Sequence, residues 1–411
     1  MTTASETLPK EMVQALIRPV FDRAGLYLDL AREFGSPLFV VEPETLREKA
    51  LHFQSAFSAV LPDMRAYYAM KSNNLPYLSA QLVSHGLGLD VSSGAELAIA
   101  LEAGATEIIF SGPGKTVPEL ALAAAHPDRV TLLLDSPGEL ARLSTLVKPE
   151  KGVLRLGIRI NTNPQGLWRK FGVLPEAVPA LFDQIQDCPG VAFTGFQFHS
   201  SWNMEPSRQV EGIQTIGQML GTLPDRIRFQ CAFVDIGGGY WPAMGEWLIT
   251  KEPLVHTLNR SVPIETFAQA LSAAVKEWIF PQVQCRICFE PGRWLCNEAL
   301  HILIQVVDKK DKDLVITDAG TNTVGWERFE TDYFPVLNLS RPAMEEHACQ
   351  ILGSLCTPHD VWGMAYYGQD IQEGDLLLVP FQGAYTYSLR QEFIKPLPRV
   401  VTLEQPVRLI G

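Results

Sequence analysis

Cysteine is scarce: seven residues in 411, an odd number. That count argues against a disulfide framework and for a reducing compartment, with the cytoplasm as default. Cys285 and Cys288 have the spacing of half a zinc site. No second C-x-x-C or H-x-x-x-H pair exists, however, and Val283 to Phe289 reads as a strand, so the two are structural and no metal is expected. There is no Lys/Arg-rich run: 34 bases against 46 acids leave a net charge of −12, without the basic footprint of a nucleic-acid binder. Long hydrophobic runs are missing too. Stretches such as Ile302 to Val307 and Leu376 to Phe381 fall far below the ~18 residues of a membrane span. Met1 to Ile17 lacks a basic region leading into an apolar one, so neither export nor membrane insertion is expected. No internal repeat, low-complexity tract or charged tail is visible.

What is present is 46% apolar residues, enough for a sizeable core, in a chain long enough for two or three folding units or a barrel with an added domain. Eight short β-type runs alternate with helical-period segments: Ala66 to Met70, Leu87 to Val91, Ile108 to Ser111, Val130 to Asp135, Leu154 to Asn161, Phe193 to His199, Phe233 to Gly237 and Ile287 to Glu290. A leading helix near Glu44 to Phe57 carries Leu46, Phe53 and Phe57 on one face. This order predicts an α/β protein with a (β/α)8 barrel over residues 43–293. After Arg293 the pattern turns to alternating, β-branched segments with glycine turns, predicting a mostly β domain over 294–411. Ser36 to Val41 is strand-like, so residues 1–42 are expected to contribute to that β domain.

The polar residues that stand out lie at the C-terminal ends of the barrel strands, where barrel enzymes build their sites. Lys71 closes the first strand, and a desolvated amine there can condense with a carbonyl. His199 ends the sixth and can stack on a flat ring or move a proton. Asp235-Ile-Gly237-Gly238-Gly239 follows the seventh, with glycines able to close backbone N–H groups around a phosphate. Glu290-Pro-Gly292-Arg293 follows the eighth. Each has a plain alternative: a solvated lysine, a structural histidine, a ligand-free turn, a surface ion pair. Together they are the parts of a pyridoxal phosphate site.

Tyr-Ala-Met-Lys71-Ser-Asn, Leu-Asp90-Val-Ser-Ser-Gly-Ala-Glu, Phe-Ser111-Gly-Pro-Gly-Lys115, Arg159-Ile-Asn, Lys170-Phe-Gly172, His199, the glycine triplet, Glu290-Pro-Gly-Arg293, Asp318-Ala-Gly, Cys356 to Asp360 and Gly383-Ala-Tyr385 occur in one order. In this the chain resembles the fold type III pyridoxal phosphate decarboxylases, the diaminopimelate and ornithine decarboxylase group, whose barrel is of alanine racemase type. The resemblance implies that Lys71, Glu290 and Cys356 are catalytic. Lys71 would hold pyridoxal 5′-phosphate covalently, His199 would stack on its ring, Glu290 would face the ring nitrogen, and Asp90 would belong to the same pocket. Gly237, Gly238, Gly239 and Arg293 would bind the phosphate with Tyr385, and Gly292 would belong to the same cofactor site. Racemase relatives offer the ring nitrogen an arginine, so Glu290 favours decarboxylation. Cys356 would come from the partner subunit of a homodimer and protonate Cα, with Lys170 and Asp360 paired across that dimer.

Three departures bear on the substrate, a small amino-acid-type molecule. Cys356-Thr357-Pro-His-Asp360 lacks the acid that follows the cysteine in diaminopimelate and ornithine enzymes. The Arg-Pro-x-Leu-Tyr pattern expected after Asn322 is replaced by Thr323-Val-Gly-Trp326-Glu-Arg328. Beyond His199 the chain reads Ser200-Ser201-Trp202 instead of x-Gly-Ser. A carboxylate-rich conjugate, as in assembly of citrate-type siderophores, is the expected substrate, met by Arg159, Thr357, Asp360 and Arg328, with Lys170 and Arg390 as further cations. Diaminopimelate decarboxylation and a non-catalytic pyridoxal phosphate-binding relative are the alternatives.

Overall fold

Eight parallel strands close on themselves as a barrel: β1 (Met64–Ala69), β2 (Gly88–Val91), β3 (Ile108–Phe110), β4 (Val130–Leu134), β5 (Leu154–Arg159), β6 (Val191–Gln197), β7 (Phe233–Asp235) and β8 (Arg286–Phe289). β8 pairs in parallel with both β7 and β1, which seals the ring. The strands are covered on both faces over most of their length, so they read as largely apolar runs such as Ile-Ile-Phe in β3 and Leu-Leu-Leu at the end of β4. This computed structural model describes residues 5–248, 254–325 and 334–410. The α/β barrel with a mostly β companion is the architecture expected from the sequence.

Short, capped connections fix where each strand releases its last residue. Ser93 accepts the Glu96 N–H and starts the helix Gly94–Glu102; Ser136 does the same for Glu139 and Pro137–Leu143. Each cap contributes about 1 kcal/mol. The helix Pro43–Ser58 buries Leu46, Phe53 and Phe57 completely. Inside the barrel, Tyr67, Ile109, Leu133 and Cys288 pack together against Phe233, filling the interior with side chains as such barrels do. Cys288 is thus a core residue.

The chain divides into two units, 47–241 with 262–294, and 1–46 with 242–261 and 295–411. The second is built on an eight-stranded sheet in which Leu38–Val41 lies antiparallel to Leu300–Leu303 and parallel to Arg399–Thr402. Glu42, at the end of that strand, is buried and accepts hydrogen bonds from Arg23 at 2.8 Å, Thr45 at 3.0 Å and Tyr27, with His301 Nε2 at 3.0 Å. Burial alone would raise its carboxyl; His301, Arg23 and Tyr27 reverse that and hold it low.

The boundaries differ from the sequence expectation at one stretch. Residues 242–261, placed inside the barrel span by sequence, belong to the β-rich unit, where Glu246–Leu248 pairs with Thr257–Asn259 and that with Glu6–Thr7. Trp247 anchors the excursion: it is 1% exposed, with its ring 5.1 Å from Phe334. The N-terminal segment also holds two helices, Lys10–Phe21 and Ala24–Phe34. Among the described residues no helix is long and apolar enough to cross a membrane.

Candidate active site

The barrel gathers its polar groups at the C-terminal ends of its strands. β1 runs into a single 3-10 turn, Met70–Ser72, that carries Lys71. Its Nζ donates to Asp90 Oδ2 at 2.7 Å, with the lysine side chain 32% exposed and the aspartate fully buried. Ser111, just past β3, donates to the other oxygen, Oδ1, at 2.5 Å. Burial raises the Asp90 carboxyl, with Glu290 adding to the effect; Lys71 and Ser111 partly offset both.

Across the mouth, Glu290 follows β8 and is 1% exposed. Gln197 Nε2 donates to its Oε1 at 3.1 Å, and His199 Nδ1 lies 3.5 Å from its Oε2. Burial works to raise Glu290, but the charges of Lys71 and Arg159 act against it, and the carboxyl is held at about 2. Glu290 is therefore an anion at any physiological pH. Burial depresses His199, whose Nδ1 accepts the Gly238 N–H at 3.1 Å and whose Nε2 meets Ser201 Oγ at 3.2 Å.

The glycine triplet is a conformational necessity. Gly237 and Gly239 have φ of +74° and +84°, in the region that side chains avoid. A Cβ on Gly238 would run into the Glu290 carbonyl. Asp235 Oδ1 takes the Gly237 N–H at 2.8 Å and His199 that of Gly238. Among the described residues the Gly239 N–H has no protein acceptor. Asn203 and Gln209 donate to the Gly238 carbonyl at 3.1 and 3.2 Å and hold the turn from behind. Gly292 lets the following loop close on Ser72 and Ala69, and Arg293 is 6% exposed with its guanidinium 4.1 Å from the Trp241 ring centre. Trp202, at φ 55° and 48% exposed, tilts over the same indole at 6.0 Å.

Lys71, Asp90, Arg159, His199, Gly237 to Gly239, Glu290, Gly292 and Arg293 thus belong to one barrel unit. Cys356, Thr357, Asp360 and Tyr385 belong to the other, and Arg328 lies outside the described residues. Cys356 and Thr357 are exposed, and Tyr385 is half-buried at φ 57°. Asp360 corrects an expectation. It is 2% exposed and accepts from Thr321 N at 2.7 Å, Thr321 Oγ1 at 2.9 Å and Leu355 N at 2.7 Å. Its carboxylate is spent on holding the Cys356 loop to the turn after Asp318. Sequence reasoning missed Gln197 as a donor to Glu290 and Ser111 as a donor to Asp90. The two-residue period of β6 would have found the first, since it puts Gln197 and His199 on the same side of the strand.

These residues fit pyridoxal phosphate. A lysine amine stands at the rim; a turn that only glycine can form offers an N–H for a phosphate; a buried carboxylate is held ionised for a ring nitrogen. The family described as "Pyridoxal-dependent decarboxylase, pyridoxal binding domain" matches residues 44–297. A diaminopimelate decarboxylase of Methanothermobacter thermautotrophicus is 27% identical over 92% of this chain and 89% of its own length. The 2-[(L-alanin-3-ylcarbamoyl)methyl]-2-hydroxybutanedioate decarboxylase of Staphylococcus aureus is 23% identical over 86% and 91%. Among solved structures, diaminopimelate decarboxylase from Helicobacter pylori complexed with L-lysine superposes with a TM-score of 0.79 at 22% identity, covering 93% of this chain and 95% of that one.

Proposed function

The chain belongs to the pyridoxal-dependent decarboxylases, and from that membership we propose that it removes CO2 from an amino acid bearing further carboxylates, in a site completed by a second copy of the chain. Its cofactor is pyridoxal 5′-phosphate, whose ring, when bound, accepts the electron pair left as CO2 departs. Lys71 holds the cofactor carbonyl, and Asp90 keeps that amine oriented. Gly237 to Gly239 and Arg293 would bind the phosphate, and His199 would stack on the ring. Glu290 supplies the buried negative charge that keeps a proton on the ring nitrogen. Cys356 gives its thiol proton to Cα.

One observation carries the substrate class. Arg159 and Lys170 both lie over the Phe171 ring, at 4.5 and 5.3 Å, and among the described residues neither has a carboxylate partner. Arg159 is only 7% exposed. A guanidinium so buried, which feels the Glu290 charge but among the described residues touches no carboxylate, can take an anionic ligand directly. Thr357 in place of an acid, and the engagement of Asp360, leave no carboxylate there for a distal amine. The S. aureus relative's name describes a hydroxybutanedioate conjugate, chemistry of the same kind. The names of other relatives favour diaminopimelate as second reading. Measured by CO2 release, kcat/KM is expected to be at least about tenfold higher for citrate-conjugated amino acids than for diaminopimelate, lysine or ornithine. Arg159→Gln should then cost roughly a hundredfold in kcat/KM, about 2.7 kcal/mol, for the preferred substrate. Equal or better turnover of diaminopimelate would overturn the substrate class and leave the decarboxylase intact.

Shared sites are tested by mixing. Lys71→Ala and Cys356→Ala homodimers are each impaired, but random exchange of equal amounts gives heterodimers with one intact site of two. Recovery toward about a quarter of wild-type activity is expected. No recovery, despite exchange demonstrated with differently tagged subunits, would put Cys356 in its own subunit's site or outside catalysis.

A further inference from the structure

Asp235 ends β7 directly before the glycine turn, and its second carboxyl oxygen has no use in the chemistry above. The residue is fully buried. Oδ1 accepts the Gly237 N–H at 2.8 Å, but among the described residues Oδ2 has no donor. Gln197 is its register partner on the adjacent parallel strand β6. That amide spends its Nε2 on Glu290, 3.1 Å away, and among the described residues its own Oε1 is also without a donor. Paired positions on neighbouring strands therefore hold two buried acceptors and nothing to give to either, each bearing the full desolvation penalty of an orphan.

One proton on Asp235 Oδ2 repairs the defect. Turning the Gln197 amide over does not help Glu290: Oε1 would then face the Glu290 carboxylate, and that acid would need a proton instead. In either orientation the Asp235–Gln197–Glu290 set holds one neutral acid and one anion, and the surrounding charges decide which is which. Glu290 is favoured as the anion by the charges of Lys71 and Arg159. The strongest charges on Asp235, those of Glu290 and Asp90, are both acidic, and Tyr67, Cys288 and Tyr240 around it are acids as well.

We propose that Asp235 is a neutral carboxylic acid in the folded enzyme, donating from Oδ2 into the acceptors presented by Gln197 and Glu290 and so positioning the amide that keeps Glu290 ionised. Burial, and after it the Glu290 charge, push this carboxyl well above the usual range. The positioning role rests on the assignment of Glu290; the protonation does not.

Infrared spectra of the holoenzyme, unlabelled and labelled with carboxyl-13C aspartate, test the protonation. A carbonyl stretch of a protonated acid is expected at neutral pH, moving on labelling and missing from Asp235→Asn. If no such aspartate band is found, or if it survives in Asp235→Asn, the proposal fails. Should that variant not fold, Gln197→Leu must shift the band by removing a neighbouring acceptor, and an unmoved band is equally fatal. Positioning is tested by the visible absorption of the bound cofactor against pH. Asp235→Asn, whose amide can still donate, should follow wild type, whereas Asp235→Ala should move the transition about one pH unit or more downward. Identical curves for Asn and Ala would refute the positioning role even with the band confirmed.

Discussion

Lys71→Ala is expected to purify colourless, to release no measurable CO2 and to keep its fold. Lys71 is the lysine placed to hold the cofactor carbonyl, and its replacement leaves the cofactor to weaker contacts with the glycine turn and Glu290. A loss of at least about a thousandfold, on the order of 4 kcal/mol of barrier, follows from removing a covalent anchor. The fold should survive because the lysine side chain is a third exposed. The partner it abandons, Asp90, is already raised by burial and can neutralise by taking up a proton, retaining Ser111 as a hydrogen-bond neighbour. Visible absorption, circular dichroism and CO2 release decide the matter together. A yellow Lys71→Ala protein in which borohydride fixes the cofactor to a different lysine would refute the assignment.

Glu290→Gln should keep the cofactor and lose most of the rate. The amide is nearly isosteric and can still meet Gln197, so the pocket has no reason to collapse, but the anion beside the ring nitrogen is gone. A fall of less than about tenfold in kcat, roughly 1.4 kcal/mol, would mean the charge is not what drives CO2 loss. The pH dependence follows from the same depressed carboxyl. Being lowered to about 2 in the fold, Glu290 contributes its charge, and the stability tied to it, fully above the ordinary carboxylate range; both are lost only as the pH falls toward 2. The kcat profile of the wild type above pH 5 should therefore contain no limb belonging to Glu290.

The barrel was legible because a strand covered on both faces has little room for a polar residue until it ends. Lys71 and Glu290 stand out for that reason, as polar residues after apolar runs, and His199 as the polar end of a mostly apolar one. What comes from pairing across strands was hidden. Gln197 looks like an ordinary member of β6 until Glu290, almost a hundred positions later, is seen to need its N–H. Asp360 looked like a substrate ligand because it follows the cysteine motif, whereas Thr321 and Leu355 claim its oxygens. The excursion over 242–261 was missed because its strands are three residues long, too short for periodicity, and the helix Lys10–Phe21 because Pro19 interrupts an otherwise clear helical pattern.

Leu38–Val41 is hydrogen-bonded on one side to residues 300–303 and on the other to residues 399–402. During synthesis this means that an early, wholly apolar strand must wait for nearly the entire chain before its second edge is covered. The barrel unit, whose last residue is Trp294, can be complete on the ribosome while Leu38–Val41 still presents unpaired edges. Contacts of such sequence separation are slow to form and expose the chain to aggregation meanwhile. The helices Lys10–Phe21 and Ala24–Phe34, formed from local contacts just ahead of that strand, are available to shelter its apolar side chains during the delay.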